Sequence, residues 1–404
     1  MGSPFDPALH TEYKGATTDS TLVSSWKKYA DAAQKHGTPA IVQICHPGRQ
    51  SFRVSGYRGM FAQTLAPSAV PVKIGDGLIE RIVASLVWSQ PKEMTNADIE
   101  RVIWQFVDTA RLMADAGFSG VQLHGAHGYL IGMFLPLVLA LILALVPGLV
   151  IGFCMSIRLT LFRSIPQQQG MAQPPRKPFN VISKGPPQTN KPQTNLRTDA
   201  YGGTPAKRAK FVLDILTETR KVVPATFCIG IKLNSADHSS TTFEETMTQI
   251  ALLAEAGIDF MEISGGTYED PKMMGHAKTD AETTELPKSA RTAAREAFFL
   301  EFSKEVRKRH PGLVLMLTGG FRTRAGAESA ILDEACDLVG IGRPAAIDPK
   351  FPLLLLDEGV AEGDAGIQLN KAPIPWYTRF LPLHLAGAGA ESVSFLFPFV
   401  FLWI

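Results

Sequence analysis

A repeated junction between a helix and a strand constrains the fold of this chain more than any other feature. Residues 113–125 read MADAGFSGVQLHG and residues 253–265 read LAEAGIDFMEISG, with alanine, glycine and strand residues at matching offsets. A fainter third copy, LDEACDLVGIGR, runs from Leu332 to Arg343. The glycine after each of the first two helices suits a left-handed C-cap, and the strand that follows is mostly apolar. Strands buried on both faces predict a parallel sheet that is covered by helices.

Helix start signals complete this pattern. Thr95 and Asp98 form a capping box ahead of an apolar stripe at helical spacing, and Thr204 with Pro205 supplies a second N-cap. Further helices are predicted near residues 24–36, 289–309 and 324–335. Strands are predicted at residues 39–45, 119–124, 227–233, 258–264, 313–318 and 338–342. Such an alternation of strands and helices indicates an α/β barrel or a doubly wound sheet.

The number of predicted strands is smaller than a closed barrel needs. A (βα)8 barrel of the TIM type has eight strands, whereas the first of our six already lies within residues 1–50. We therefore expect an incomplete TIM-type barrel without its first two strands. The barrel is expected to occupy residues 1–134 and 193–380, followed by a divergent apolar tail at residues 381–404.

A segment of different character interrupts the barrel. The chain carries no charge from Leu130 to Ile157, and a helix over residues 130–157 would be long enough to span a bilayer. The stretch that follows is basic and rich in Pro, Gln and Asn, which is typical of a disordered linker. Two interpretations of residues 135–192 stay open. One is a membrane anchor on an otherwise cytoplasmic barrel, and the other is translated non-coding sequence such as a retained intron.

The net charge and the positions of the cysteines limit the classes of binding partner that the sequence predicts. Lys and Arg number 40 against 38 Asp and Glu, so the net charge of +2 creates no field that would attract nucleic acid. The four cysteines stand singly without a CxxC pair, which favours reduced cytosolic thiols over disulfides or a zinc site. Neither nucleic acid nor a metal ion is therefore an expected partner. The sequence does not indicate an oligomeric state.

Two polar side chains lie within predicted apolar strands, close to the ends where barrels place their sites. The amide of Gln43 needs hydrogen-bond partners, which the edge of a heteroaromatic ring or the barrel's own backbone would supply. The ammonium of Lys232 needs an anionic partner or a function. Its candidates are the electron-rich edge of a reduced flavin and an internal ion pair.

Two imidazoles and a phenol crowd the exit of the strand at residues 119–124. His124, His127 and Tyr129 lie in the segment HGAHGY. Together they can hold a developing oxyanion and deliver a proton. The alternatives are a metal pair, for which no third ligand is evident nearby, and histidines that only serve packing.

Glycine and arginine follow the last two predicted strands. Gly320 and Phe321 lie in TGGFR, and Gly342 and Arg343 lie in GIGRP. Glycines allow backbone N–H groups to approach an anion, and an adjacent guanidinium adds charge. These loops predict a phosphate cradle where barrels commonly have one, although turn geometry alone is the alternative explanation.

Several segments of the chain, in their order along the sequence, resemble the Old Yellow Enzyme or NADH:flavin oxidoreductase family, particularly its fungal NADH oxidase-like members. The resemblance is carried by VQICHPGRQ, TLAPSAVP, EMTNADIE, HGAHGYL, NLRTDAYGG, GIKLNS, LTGGFRT and DLVGIGRP. It covers most of residues 20–134 and 193–380. HGAHGYL and NLRTDAYGG are highly specific together.

The resemblance implies an FMN-dependent oxidoreductase of the ene-reductase type. It assigns the flavin ring to Gln43 and Lys232 and the FMN phosphate to Gly320, Phe321, Gly342 and Arg343. His124 and His127 would grip the carbonyl oxygen of the substrate, and Tyr129 would donate a proton to the alkene. NADH or NADPH would reduce FMN and leave. An electron-poor alkene, such as an α,β-unsaturated carbonyl compound, would then take the hydride.

Departures from the family pattern leave a second function open. The family's first two strands have no counterpart in this sequence, and residues 135–192 split the loop between GYL and NLRTDAYGG. A chain that cannot bind FMN would be a non-catalytic, membrane-associated barrel remnant or the product of an incorrect gene model. Many relatives have arginine where Lys232 stands, so flavin tuning is expected to differ here.

Overall fold

Six parallel strands form one sheet in the computed structural model, which describes residues 13–53, 59–75, 77–135, 194–235, 241–264 and 288–367. In spatial order the strands are β1 (Ile41–Ile44), β4 (Gly120–His124), β5 (Cys228–Asn234), β6 (Phe260–Ser264), β7 (Val314–Thr318) and β8 (Leu338–Gly340). Two short strands, β2 (Leu65–Ala66) and β3 (Lys92–Glu93), pair separately. All six predicted strands are confirmed, and their sequential order is that of a (βα) barrel wall.

Helices alternate with the strands of this sheet along the described part of the chain. They are α1 (Ser20–Ala33), α2 (Leu78–Val87), α3 (Asn96–Asp115), α4 (Leu130–Phe134), α5 (Pro205–Val222), α6 (Thr241–Glu255), α7 (Lys288–Arg309), α8 (Arg324–Leu332), α9 (Arg343–Ile347) and α10 (Phe351–Leu356). The predicted N-caps Thr95 and Thr204 accept hydrogen bonds from the first turns of α3 and α5. Helix α2 was not predicted, because it follows Gly77 and has no side-chain cap to announce it.

The two faces of the sheet differ in chemistry because side chains alternate along each strand. One face is apolar and packs into the main core with the helices; its residues include Val121, Leu123, Ile229, Ile231, Met261, Ile263, Leu315 and Leu317. Each such fully buried side chain contributes roughly 1.5–3 kcal/mol to folding. The opposite face, which we call the polar face, carries Gln43, Gln122, His124, Lys232, Asn234, Glu262 and Ser264. Helix packing on the apolar face therefore leaves the polar face for function.

The start of the predicted apolar helix belongs to the protein core. Residues Leu130–Phe134 form the short helix α4, and the ring of Phe134 stacks on Phe211 of α5 with centroids 4.2 Å apart. Among the described residues, no helix has the length and apolarity that crossing a bilayer requires. The prediction of a membrane helix over residues 130–157 is therefore unsupported: its first residues pack against α5, and residues 136–157 lie outside the described part.

The chain segments that flank residues 136–193 meet each other. Thr194 Oγ1 donates to the carbonyl of Met133 at 3.0 Å, and Asn195 Nδ2 donates to the carbonyl of Phe134 at 3.2 Å. The rest of the predicted insertion, residues 136–192, and the predicted tail at 381–404 lie outside the described residues. Thr194 and Asn195 are thus hydrogen-bonded directly to the end of helix α4.

Replacing Thr95 by Ala is expected to lower the free energy of unfolding by about 1 kcal/mol, because the capping box at the start of α3 is lost. Thr95 Oγ1 accepts from the backbone N–H of Asp98 at 3.1 Å, and the Asp98 carboxylate accepts from the backbone N–H of Thr95 at 3.1 Å. Urea unfolding would measure the change. Thr109→Ala is the matched control on the same helix, and an equal loss for both variants would contradict a capping role.

The same cap predicts a pH dependence. Burial raises the pKa of Asp98, but hydrogen bonds from Lys92 and Thr95 outweigh it and lower the pKa to about 2. A carboxyl whose pKa is lower in the folded state stabilises the fold above its unfolded pKa, near 4, and loses this contribution as the pH falls towards 2. The destabilisation caused by Asp98→Asn should therefore shrink over this interval, which unfolding curves at several pH values would test.

Candidate active site

The predicted site residues on the sheet share its polar face. Gln43 is the register partner of Gln122, and Lys232 is the register partner of both His124 and Glu262. Partners on neighbouring parallel strands point to the same side of a sheet. The structure therefore brings Gln43, Lys232 and His124 onto one surface at the carboxyl ends of the strands, where barrels place their sites.

His124, His127 and Tyr129 form a compact aromatic cluster after β4. The ring of His124 lies edge-on to both neighbours, with centroids 5.0 Å from His127 and 4.7 Å from Tyr129. All three residues are buried. The phenol and the two imidazoles are thus held together as the sequence predicted.

A line of hydrogen bonds orders the two imidazoles. The backbone N–H of Ala126 donates to His124 Nδ1 at 3.3 Å, His124 Nε2 lies 3.3 Å from His127 Nδ1, and His127 Nε2 lies 3.2 Å from Ser264 Oγ. Because His124 Nδ1 accepts, a neutral His124 carries its proton on Nε2 and donates it to His127. A neutral His127 then also carries its proton on Nε2. Both Nε2–H groups are donors for which a substrate oxygen can compete.

The loop that carries these residues has an unusual backbone. His127 has φ of 59° and Gly128 has φ of 73°, so two consecutive residues lie in the left-handed region. A non-glycine residue there costs energy and needs support from its surroundings. Gln50 supplies support by donating from Nε2 to the carbonyls of His127 and Gly128, and Asn234 Oδ1 accepts from the His127 N–H at 3.3 Å. These contacts hold His127, whose ring reaches Ser264 on the polar face.

A chain of hydrogen bonds that ends in an ion pair crosses four strands of the polar face. Gln43 Nε2 donates to Gln122 Oε1 at 2.6 Å, and Gln122 Nε2 donates to Glu262 Oε2 at 2.8 Å. Glu262 Oε1 lies 3.2 Å from Lys232 Nζ. The internal ion pair that the sequence left open for Lys232 is therefore present, whereas the partner found for Gln43 is the side chain of Gln122 rather than the barrel's own backbone. The contact with Gln122 does not exhaust Gln43, because an amide has further hydrogen-bonding positions.

The predicted phosphate loops follow β7 and β8, which are neighbours in the sheet with Thr318 opposite Gly340. Gly320 has φ of 83°, so turn geometry explains part of its choice. Phe321 is buried with its ring in the core, which leaves only its backbone for an anion. Around Gly342, a Cβ atom would meet open space, and Arg343 begins helix α9 beside it. The loops at Gly320 and Gly342, together with the backbone of Arg343, thus follow the strand ends on this side.

Four buried polar residues of the site were missed by sequence reasoning: Gln122, Asn234, Glu262 and Ser264. A signal for them exists in the two-residue alternation of GIKLN and FMEIS, where every second residue faces away from the helices. Among the described residues, no group of three or more His, Cys, Asp or Glu side chains is placed to hold a metal ion. The described side chains of the site are amides, imidazoles, a phenol, a hydroxyl and an ion pair.

The model of the NADH:flavin oxidoreductase / NADH oxidase family matches residues 10–139 and 187–358. The unmatched residues between these stretches lie within the predicted insertion at 135–192, whose boundaries stay a prediction. The match covers all the predicted site residues.

Individual relatives agree with the family match. An NADH-dependent flavin oxidoreductase of Neonectria sp. (strain DH2) is 36% identical over 90% of this chain, which spans 41% of that protein. An NADH-dependent flavin oxidoreductase of Talaromyces variabilis is 35% identical over 98% of this chain, which spans 81% of that protein. The chain therefore spans less than half of the first relative and most of the second.

Solved structures share the fold at lower identity. A 2-naphthoyl-CoA reductase superposes with a TM-score of 0.58 at 22% identity, over 93% of this chain and 46% of the other. Morphinone reductase superposes with a TM-score of 0.53 at 18% identity, over 86% of this chain and 72% of the other. Both support the barrel fold that the strand order indicates. On the combined evidence of the sheet, the polar face and the family match, the chain belongs to the NADH:flavin oxidoreductase / NADH oxidase family.

Proposed function

We propose that this protein is an FMN-dependent oxidoreductase that transfers hydride from NADH or NADPH to an electron-poor alkene, such as an α,β-unsaturated carbonyl compound. One observation carries the proposal. The cluster of His124, His127 and Tyr129 adjoins a sheet face that presents Gln43 and Lys232. In this proposal, the imidazoles supply donors for a carbonyl oxygen and the phenol supplies a proton. The ammonium and the amide serve a polar ring at the same end of the sheet.

The residues present fit FMN. A flavin needs hydrogen-bond partners along one ring edge, and the amide of Gln43 and the ammonium of Lys232 are groups that match it. Its phosphate needs backbone N–H groups and positive charge, which the loops at Gly320, Phe321, Gly342 and Arg343 offer. When bound, FMN supplies the two-electron chemistry that links oxidation of the nicotinamide to reduction of the acceptor.

The side chains of the site have separate tasks in this proposal. The Nε2–H groups of His124 and His127 hold the carbonyl oxygen of the substrate and stabilise the negative charge that develops on it. Tyr129 Oη donates a proton to the alkene carbon next to the carbonyl, while the hydride adds to the other alkene carbon. The carbon–carbon double bond thereby gains one hydride and one proton, and the nicotinamide is oxidised.

Anaerobic spectroscopy on the purified full chain, after incubation with FMN, tests the proposal in three steps. We expect a yellow, flavin-bearing protein, bleaching of the flavin band by NADH or NADPH, and recovery of the band when 2-cyclohexen-1-one is added. Cyclohexanone, which has the same ring and carbonyl without the alkene, is the matched control and should give no recovery. A chain that takes up no FMN would refute the whole proposal. Bleaching without recovery by any unsaturated carbonyl compound would refute only the alkene acceptor.

A further inference from the structure

Glu262 is the least expected member of the polar face. It lies in the middle of β6 and is 0% exposed, and it faces the site rather than the helices. Burying a carboxylate costs several kcal/mol unless an ion pair and hydrogen bonds compensate it. Here, Lys232 Nζ lies 3.2 Å from Oε1 and Gln122 Nε2 donates to Oε2 at 2.8 Å. A costly group with partners on two neighbouring strands calls for a role beyond packing.

We propose that Glu262 is a positioning residue for the cofactor, acting through Gln43 on one side and through Lys232 on the other. The inference rests on the proposed function, because it assumes that Gln43 and Lys232 contact FMN. It assigns to Glu262 two separable effects. One is the orientation of an amide, and the other is the charge that a flavin ring meets.

The first effect is the direction of the hydrogen-bonded chain. An ionised carboxylate can only accept, so the amide nitrogen of Gln122 must face Glu262 and its oxygen must face Gln43. The nitrogen of Gln43 therefore faces Gln122, as observed at 2.6 Å. The oxygen of Gln43 is then turned to the other side of the amide, as an acceptor for an N–H group of the ring. Glu262 thus fixes an amide three strands away, without touching it.

The second effect is electrostatic. Lys232 and Glu262 form a buried pair in which the carboxylate offsets much of the ammonium charge. A reduced flavin is richer in electrons than an oxidised flavin, so an uncompensated cation favours the reduced form. Glu262 therefore keeps the preference of the site for reduced FMN lower than Lys232 alone would make it.

Two variants separate these effects, with the affinity for oxidised FMN and the midpoint potential of bound FMN as readouts. In Glu262→Gln, the ratio of affinities for reduced and oxidised FMN should rise about tenfold, which corresponds to about +30 mV for a two-electron couple. In Gln122→Leu, affinity should fall roughly fivefold in both redox states, with the potential unchanged.

Matched variants distinguish positioning from general damage to the fold. Glu245→Gln removes a carboxylate that pairs with buried Arg208 on the outer helices, and Gln249→Leu removes a buried amide from α6. Neither should change the affinity or the potential. Glu262→Asp keeps the charge and should stay within about twofold of the wild-type ratio; it remains informative if Glu262→Gln does not fold.

The outcomes also separate this inference from the proposed function. If the wild-type chain binds no FMN, both are overturned. If the wild-type chain and Glu262→Gln bind FMN with the same potential, the charge effect is refuted while the proposed function stands. Unchanged FMN affinity in Gln122→Leu would refute the orienting effect in the same way. A raised potential in Glu262→Gln, with both controls at the wild-type value, supports the positioning role.

Discussion

Replacing Tyr129 by Phe should slow hydride transfer to an alkene by about 10²–10⁴-fold and leave reduction of FMN by the nicotinamide nearly unchanged. Only the second half-reaction needs a proton from the protein in our proposal. The substitution removes one hydroxyl and retains the ring, which packs edge-on against His124 with centroids 4.7 Å apart and planes at 83°. The geometry of the cluster should therefore survive. Stopped-flow measurement of each half-reaction at the flavin band gives the two rates separately.

Tyr29→Phe provides the matched control for this experiment. Tyr29 lies in α1, and its ring packs on Phe118 with centroids 6.0 Å apart, on the helical side of the sheet. Removal of its hydroxyl should change neither half-reaction. Equal slowing of both half-reactions by Tyr129→Phe would point to a structural fault and exclude Tyr129 as the proton donor.

The sequence was sufficient for the six strands of the main sheet, because each of these strands is a short apolar run next to a helix, and two of those helices carry a clear start signal. Signals of this kind can be recognised in one short segment of sequence, because the interacting residues lie close together along the chain. Thr95 and Thr204 are examples, since each caps its helix with a hydroxyl only three residues from its partner N–H. The histidine and tyrosine cluster was equally accessible, because all its members lie within six residues of the chain.

The partners of Gln43 and Lys232 were not accessible in this way. Gln43 meets Gln122 across 79 residues, and Gln122 meets Glu262 across 140 residues. Such contacts depend on strand register, which a one-residue slip would reverse from one face to the other. The internal repeat contained the information, however. When its two copies are aligned, Glu262 stands at the position of Gln122 and Ser264 at the position of His124, so the second copy should present its polar residues to the same face.

Replacing Lys232 by Met should have the largest effect on stability, a loss of about 3–5 kcal/mol in the free energy of unfolding. Glu262 is 0% exposed, and its buried carboxylate would lose the ammonium partner that Lys232 provides. The double variant Lys232→Met with Glu262→Gln removes both charges and should regain most of this loss. Urea unfolding of the two single variants and the double variant closes a mutant cycle that isolates the coupling between the two side chains.

The burial of the ion pair determines how much stability its lysine contributes. The same Lys→Met substitution at an exposed ion pair provides the comparison. Lys27 pairs with Asp31 at 2.8 Å, but their side chains are 58% and 60% exposed, so Lys27→Met should cost no more than about 1 kcal/mol. A loss at Lys232 that is as small as this, or effects of the two single variants that simply add in the double variant, would contradict a tightly coupled buried pair.

The double variant should also remain weak in its preference for reduced FMN, because regaining stability does not return the ammonium to the site. Stability and cofactor preference are thus expected to separate at this pair, since one depends on the balance of charge and the other on the presence of the cation.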